Sequence, residues 1–227
     1  MMISPEAFYE YELKGKSQRE IFRVIRSLKR EINRLKRAVE ETWLTEEMSE
    51  LTMCPSPLTR IKCSKDYLKQ AIQAYEETGE KYQPTKAEQK AMEFDRALES
   101  LCRLKFSIGG FFGGHETRTF TVSGNNVLLD VGLGPVPDSP NWPEYCPYTR
   151  EEFISRLRDL HIGEWKKSYY NPCVCDGTQW ELEIQYEDGR KPIRIYGSNA
   201  YPYNFDDLTE LLGVELEEDA ETEDKNK

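Results

Sequence analysis

The sequence predicts an α+β protein, in which an N-terminal antiparallel helical lobe is followed by a five-stranded antiparallel sheet with two helices on one face. Up to residue 103, apolar residues recur in steps of three and four, which is the period of amphipathic helices. Beyond residue 103, short β-prone runs are separated by Gly and Asn. We therefore expect a helical lobe at residues 1–103, a sheet domain at 104–213 and an acidic disordered tail at 214–227.

The composition is typical of a chain that folds around a core. Its 227 residues are 38% hydrophobic, which is enough for one large domain or two smaller parts. The first residues lack the basic and apolar pattern of a signal peptide, and no run approaches the ~18 apolar residues of a membrane helix. Six cysteines in such a chain favour reduced thiols over a disulfide framework. We expect a cytoplasmic protein without a membrane partner.

The first long helix, from Ser17 to about Glu41, has a narrow apolar stripe. The stripe consists of Ile21, Ile25, Leu28, Ile32, Leu35 and Val39. This heptad pattern suits packing against the next two helices of the same chain, and its short length favours that interpretation. It also suits a parallel two-stranded coiled coil, so a dimer through Ile25, Leu28, Ile32 and Leu35 remains an alternative to a monomer.

The opposite side of the same helix predicts a binding surface. At about 100° per residue, six arginines fall in one band opposite the apolar stripe. They are Arg19, Arg23, Arg26, Arg30, Arg34 and Arg37. Guanidinium groups suit carboxylates and phosphates, so the band fits an acidic protein surface or nucleic acid. It also fits a solvated face, or one paired within the chain to acids such as Glu40, Glu41, Glu46, Glu47 and Glu50.

Two further helices are predicted before residue 103. Ser64 is placed to cap the first of them, and Gly79 to end it. Thr85 and Glu88 form a capping-box pattern at the start of the second. The buried stripes are Leu68, Ile72 and Tyr75 in one helix, and Ala91, Phe94, Leu98 and Leu101 in the other.

The sheet domain begins with a predicted three-stranded meander over residues 103–131, with turns at Gly113-Gly114 and Gly124-Asn125-Asn126. The proline-rich segment "GLGPVPDSPNWPEYCP" then predicts a connecting loop. Thr149 and Glu152 form a second capping-box pattern, which starts a helix. That helix is expected to bury Phe153, Leu157 and Leu160.

A hairpin and a corner complete the domain. Trp180, Leu182, Ile184 and Tyr186 alternate with polar residues, and Ile193 and Ile195 return on the same apolar side. At the corner "YGSNAYPYNF", Gly197 is expected to take an unusual backbone conformation, and Asn199 or Asn204 to cap the last helix. Tyr201, Tyr203 and Phe205 are expected to wedge that helix against the sheet, with Tyr201 and Tyr203 as an alternative secondary recognition surface.

"DGTQWELEIQYEDG" followed by "YGSNAYPYNFDDL" resembles the C-terminal signature of a group of uncharacterised bacterial proteins. The resemblance covers about the last quarter of the chain. It implies a bacterial or mobile-element origin and the strand, turn and helix of those residues. It implies no activity, ligand or catalytic residue.

The charge is unevenly distributed along the chain. The net charge is −10, although residues 14–37 hold ten basic and two acidic side chains. The last residues, from Asp206 to Asp224, hold ten carboxylates and no basic residue. The segment after Leu216 has almost no apolar residues and is expected to be disordered, and the acidic tail is expected either to increase solubility or to compete with phosphates for the arginine band.

Catalytic motifs are few. His115 and His161 are the only histidines, and neither has a recognised catalytic spacing. Cys173 and Cys175, with His161 or Cys146, are weak candidates for a metal site because zinc sites normally separate two cysteines by two to four residues. A Cys175 nucleophile with His161 as its base lacks a third, orienting group. The glycines at 109–114 lack the Lys-Ser/Thr of a phosphate loop. We predict no metal and no cofactor.

These observations together predict a non-enzymatic regulatory protein that binds an acidic protein partner through its arginine band. A regulator or an anti-defence protein of bacterial or phage origin fits this description. Nucleic-acid binding through the same band is the first alternative. A thiol- or metal-dependent enzyme using Cys173, Cys175 and His161 is the second.

Overall fold

The computed structural model describes residues 2–45, 54–110, 114–133, 144–174 and 176–214. By its internal contacts the chain divides into two compact units. The first contains residues 1–90, 169–175 and 199–203, and the second contains residues 91–168, 176–198 and 204–227. The boundary predicted at residue 103 therefore lies inside the second unit. Most of the predicted tail, residues 215–227, lies outside the described residues.

The first unit is helical. Its helices are α1 (Pro5–Phe8), which continues as a π-helical turn over Tyr9–Leu13, then α2 (Gln18–Thr45) and α3 (Pro57–Glu77). Helix α4 (Lys86–Ala97) begins in this unit and ends in the second. Helices α2 and α3 pack along each other. Their core consists of Phe8, Leu13, Ile21, Ile25, Ala71 and Ala74.

The apolar stripe of α2 is buried within its own chain. Its exposed fractions are Ile21 3%, Ile25 1%, Ile32 5%, Leu35 1% and Val39 4%. Leu28 is half-buried and packs against the same core. Packing inside the chain therefore accounts for the stripe. A coiled-coil dimer through these residues would require them to leave that core.

Three helices begin directly after a capping residue. The cap predicted for α3, Ser64, is wrong. Helix α3 begins at Pro57, and its cap is Ser56, which accepts a hydrogen bond from the Thr59 amide. Ser64 lies inside α3 because the Ser-Pro start comes two turns earlier. The predicted end is correct, since Gly79 has a φ of +96°.

Both predicted capping boxes are present. The Thr85 amide donates to the Glu88 carboxylate at 2.8 Å, and the Glu88 amide donates to the Thr85 hydroxyl at 3.3 Å. The same reciprocal pair joins Thr149 and Glu152 at the start of α5 (Arg150–Asp159). Each box satisfies two amides that the helix itself leaves without a partner.

The described residues form a mixed sheet of seven strands in the order β4-β3-β2-β1-β6-β7-β5, and all of these strands except β5 lie wholly within the second unit. The strands are β1 (Leu101–Gly110), β2 (Gly114–Ser123), β3 (Asn126–Leu133), β4 (Glu144–Thr149), β5 (Ser168–Tyr170), β6 (Gln179–Tyr186) and β7 (Ile193–Ser198). The predicted meander corresponds to β1–β3, and the predicted hairpin to β6 and β7. Strand β1 lies between β2 and β6 and is antiparallel to both.

The prediction of a five-stranded antiparallel sheet is wrong because two strands at the edges of the sheet were missed. Strand β4 lies at the end of the segment that was predicted to be a proline-rich loop. An edge strand tolerates Pro147, since one side of an edge strand needs no ladder hydrogen bonds. Strand β5 has three residues, too few for an alternating pattern to be recognised. Residues 134–143, which precede β4 in the chain, lie outside the described part.

Helices α5 and α6 (Phe205–Leu212) pack on one face of the sheet. Phe153 of α5 stacks on Phe120 at 5.2 Å between ring centroids. Phe205 of α6 lies 6.1 Å from Phe106 and 4.9 Å from Trp180. The strand register places these sheet residues on the same side as the fully buried Leu104. Phe205 therefore holds α6 against the sheet, as predicted.

The corner before α6 differs from the prediction in two respects. Gly197 lies in β7, paired with Trp180, and Asn199 takes the left-handed conformation with a φ of 52°. Asn204 occupies the position before α6, but its side chain makes no capping bond. Its amide oxygen accepts from the Trp165 indole at 3.1 Å, and its amide nitrogen donates to the Leu160 carbonyl at 2.8 Å. These two buried hydrogen bonds satisfy the indole and the Asn204 amide, so the Asn204 side chain does not cap α6.

Candidate functional site

The six arginines of α2, hereafter the arginine row, lie on the solvent-facing side of a continuous helix. The segment Gln18–Thr45 has no Gly or Pro, and its many Arg, Lys, Leu and Glu residues favour helix. Since the apolar stripe is buried on one side, the arginines are directed to the other. All six are exposed. From Arg19 to Arg37 the row is about 27 Å long.

Most of the arginine row forms no ion pair among the described residues. Arg34 pairs with Glu31, with 3.0 Å between Arg34 Nε and Glu31 Oε2. Arg30 Nε donates to the carbonyl oxygen of Arg26 at 3.3 Å. Within the described ranges, no ion pair involves Arg19, Arg23, Arg26, Arg30 or Arg37, which we call the five unpaired arginines. Glu46, Glu47 and Glu50, considered above as internal partners, lie outside the described part.

The lysines of α2 are engaged within the chain. Lys29 Nζ lies 2.5 Å from Glu88 Oε1 and also donates to the Tyr82 hydroxyl. Lys36 Nζ lies 4.8 Å from the centroid of the Tyr203 ring. These lysines flank the apolar stripe, where the chain folds over them, whereas the arginines lie farther round the helix. The outward positive charge of α2 is therefore carried by arginine.

Glu31 places a negative charge at the flank of the arginine row. Its carboxylate forms ion pairs with Arg34 and with Arg60 of α3. Arg60 Nη2 lies 2.7 Å from Glu31 Oε1. Hydrogen bonding by Arg34, followed by the charges of Arg34 and Arg60, outweighs partial burial and lowers the pKa of Glu31 below its usual value. Glu31 is therefore ionised at neutral pH, and it links α2 to α3 beside the arginines.

A shallow depression of about 440 Å³ lies at the C-terminal half of the arginine row. It is lined by Arg30, Asn33, Arg34, Arg37, Ala38 and Glu41. Three guanidinium groups, one amide, one methyl group and one carboxylate thus share a small area. Such a mixed lining fits a protein surface better than a uniformly anionic ligand.

Phe22 adds an exposed aromatic ring beside the N-terminal half of the row. It is 42% exposed, and its ring lies 5.8 Å from that of Tyr75. Arg19, three residues before it, and Arg26, four residues after it, are its neighbours on the helix surface. We did not predict this position, because Phe22 lies outside the repeating apolar stripe. A single aromatic residue on a charged helix face was the available signal.

The two tyrosines of the predicted secondary surface, Tyr201 and Tyr203, differ in exposure. Tyr203 is 7% exposed, and its ring lies beneath Lys36 and Lys65, with centroid distances of 4.8 Å and 5.7 Å. Its hydroxyl also accepts a hydrogen bond from Lys65 at 3.2 Å. Tyr201 is half-buried. Tyr203 therefore serves the packing of the first unit, and its ring is covered.

The candidate thiol and metal residues do not form a recognisable centre among the described residues. Cys173 is exposed, His161 has a left-handed backbone with a φ of 51°, and Cys175 lies outside the described part. Burial raises the pKa of Cys146, which disfavours its thiolate. In the described ranges, no group of three or more His, Cys, Asp or Glu side chains is placed to hold a metal ion.

Comparison with family models, with curated proteins and with solved structures gives no match for this chain. Among the described residues, no helix combines the length and apolar character that crossing a bilayer requires. The arginine row with Phe22 is therefore the candidate site on the strength of its own geometry.

Proposed function

We propose that this protein binds an acidic protein partner through the arginine row of α2. The observation that carries the proposal is the exposure of all six arginines, five of which form no ion pair among the described residues, although the charge of Arg23 acts on the nearby Glu20 carboxylate. Exposed guanidinium groups form forked hydrogen bonds with carboxylates and lose less hydration than ammonium groups when they do so. A row of them is suited to a surface rich in Asp and Glu.

The surroundings of the row favour protein over nucleic acid. Glu31 and Glu41 lie on the same helix, and Glu31 is held in its charged form. Fixed carboxylates repel a continuous phosphate backbone, whereas a protein surface offers both signs of charge and apolar groups. The exposed ring of Phe22 supplies an apolar contact of the kind that concentrates binding energy in protein interfaces.

Affinity capture tests the proposal. The tagged full-length protein would be used to capture partners from an extract of the source organism, with and without nuclease treatment, and the captured proteins would be identified by mass spectrometry. The variant R23Q/R26Q/R30Q/R37Q removes four of the five unpaired arginines. We expect an acidic protein to be recovered with the wild type and lost with this variant.

A matched variant controls for net charge. K62Q/K69Q/K81Q/K90Q removes the same number of positive charges from exposed side chains outside α2. We expect it to retain the partner. Equal loss with both variants would indicate nonspecific attraction and would contradict the proposal. Recovery that depends on nucleic acid and disappears after nuclease treatment would support the nucleic-acid alternative instead.

A further inference from the structure

We propose that the partner presents the acidic face of an α-helix, which lies lengthwise along the arginine row. This inference rests on the proposed function and specifies the shape of the acidic partner. Three features support it: the straightness of the row, the steps between its arginines and the position of Phe22.

The row is straight because its members repeat with the period of the helix. Consecutive arginines are separated by four, three, four, four and three residues. At about 1.5 Å per residue these steps are about 6.0 Å and 4.5 Å along the axis. At about 100° per residue they remain within one narrow band of the helix surface. The guanidinium groups thus start from an almost linear track parallel to α2.

A second α-helix reproduces the same steps. Acidic residues placed three and four apart on a partner helix repeat with the same rise, so each of the five unpaired arginines can meet a carboxylate along the length of the row. Two helices side by side lie about 8 to 10 Å apart, a gap that Arg and Glu side chains can span. The periods match wherever the pairing begins, and this maximises the number of simultaneous ion pairs.

Other acidic ligands match the track less well. An extended strand places side chains on one side every ~6.6 Å, which drifts out of step with an average arginine spacing of about 5.4 Å. The phosphates of B-DNA wind round the duplex about once every 10 base pairs, so a straight row follows one strand for only part of its length. Charge complementarity along a line therefore favours a helix.

Phe22 gives the interface an asymmetric apolar contact. It lies at the N-terminal half of the row and is 42% exposed. Glu31 and Glu41 lie in or beside the C-terminal half, where the lining also includes Asn33 and Ala38. The partner helix is therefore expected to place an apolar residue opposite Phe22 and fewer acids opposite Glu31. This polarity fixes the direction in which it lies.

Synthetic peptides of about 20 residues, long enough to cover the row, test this inference. The first has an alanine-rich helical sequence with six glutamates in steps of three and four on one face. The second has the same composition with the glutamates distributed round the helix, and the third carries two central prolines that prevent helix formation. Fluorescence anisotropy at about 0.15 M salt would compare their binding to the full-length protein with that of a 20-base-pair DNA duplex.

We expect the one-faced peptide to bind about ten-fold more tightly than the other two peptides. We also expect its binding to be lost with R23Q/R26Q/R30Q/R37Q and kept with K62Q/K69Q/K81Q/K90Q. Equal binding of all three peptides, lost with the arginine variant, would overturn the helical partner while leaving the acidic partner in place. Binding that is absent, insensitive to the arginine variant or tighter for the duplex would overturn this inference, and tighter duplex binding would also overturn the proposed function.

Discussion

Basic side chains on one helix have different partners in this protein. Lys29 and Lys36 of α2 contact Glu88 and Tyr203, whereas the five unpaired arginines point away from the fold. Arginine suits the outward position, because its planar group binds carboxylates in pairs of parallel hydrogen bonds. Lysine suits the inward position, where a compact ammonium group fits beside an aromatic ring.

The Lys29–Glu88 pair gives a pH-dependent contribution to stability. Burial raises the pKa of Glu88, but hydrogen bonds from Lys29 and Thr85 outweigh it, so the pKa lies below its usual value. A lowered pKa stabilises the folded chain above the normal glutamate pKa of ~4.3, and this contribution is lost as the pH falls through the lowered value. We therefore expect Glu88→Gln to be most destabilising at neutral pH.

Urea unfolding of the wild type and of Glu88→Gln between neutral pH and about pH 3 would measure this effect. The difference in unfolding free energy is expected to narrow as the pH falls below ~4.3. Glu80→Gln, at an exposed position between α3 and α4, is the control and should show no such trend. A difference that stays constant with pH would contradict the role of the charge.

Tyr186 and Tyr67 are expected to respond differently to loss of the hydroxyl. The buried Tyr186 hydroxyl has no hydrogen-bond partner among the described residues, and burial raises the pKa of Tyr186 to about 12. The Tyr67 hydroxyl accepts from the Ile3 amide at 3.0 Å and donates to the Ile3 carbonyl at 2.6 Å. Removing a buried hydroxyl without a partner leaves no lost bond, whereas removing one with partners does.

We expect Tyr186→Phe to leave the unfolding free energy unchanged or to raise it by up to about 1 kcal/mol. Tyr67→Phe is expected to lower it by about 1 kcal/mol. Thermal and urea unfolding monitored by circular dichroism would measure both. A marked loss of stability in Tyr186→Phe would show that its hydroxyl is satisfied by some other group.

At the scale of the element, α2 separates packing from charge. Ile25 is 1% exposed, whereas the arginines on the opposite side are exposed. We expect Ile25→Ala to lower the unfolding free energy by about 2 to 5 kcal/mol, because it leaves a cavity in the core. R23Q/R26Q/R30Q/R37Q is expected to change it by less than about 0.5 kcal/mol. Urea unfolding measures both, and a strongly destabilised arginine variant would mean that the row supports the fold.

The start of α3 provides a second test at this scale. Ser56 caps the helix, and Ser64 lies within it. We expect Ser56→Ala to cost about 1 kcal/mol and Ser64→Ala to cost nothing, since alanine has the higher helix propensity inside a helix. Thermal unfolding monitored by helical ellipticity would measure the two variants. Equal loss at both sites would contradict the assigned start of α3.

Local patterns predicted the elements that have strong local signals. The stripe of α2, the boxes at Thr85 and Thr149, and the alternation around Trp180 were each visible within a few residues. The edge strands were not, because one contains Pro147 and the other has three residues. The Asn204 side chain was predicted as a cap, but Trp165, far away in sequence, takes its oxygen. Such long-range competition leaves no mark on the local sequence.

The sequence predicted which residues form the arginine row, but it predicted only some of the features around the row. Because arginines in steps of three and four must share a helix face, the row itself followed from the sequence. Phe22 was missed, and burial of Tyr203 depends on Lys36 and Lys65 from separate helices. Contacts of this kind arise from packing between helices, which the sequence pattern of one helix does not specify.

At the scale of the whole molecule, burial of the α2 stripe bears on assembly. The residues considered for a coiled-coil dimer are already in contact with their own chain. We therefore expect a monomer of 26.6 kDa by light scattering coupled to size-exclusion chromatography. The mass should not rise with concentration over the micromolar range. A stable dimer that dissociates in Ile25→Ala would show that the stripe also joins two chains.

The two sides of α2 make the protein a suitable starting point for redesign. Since the core holds one side and solvent meets the other, residues along the outer side can be exchanged in a combinatorial library while the scaffold is kept. Rows of glutamate, tyrosine or mixed composition would then sample partners quite different from the natural one. The same freedom allows natural sequence drift to change what the protein recognises without first having to change how it folds.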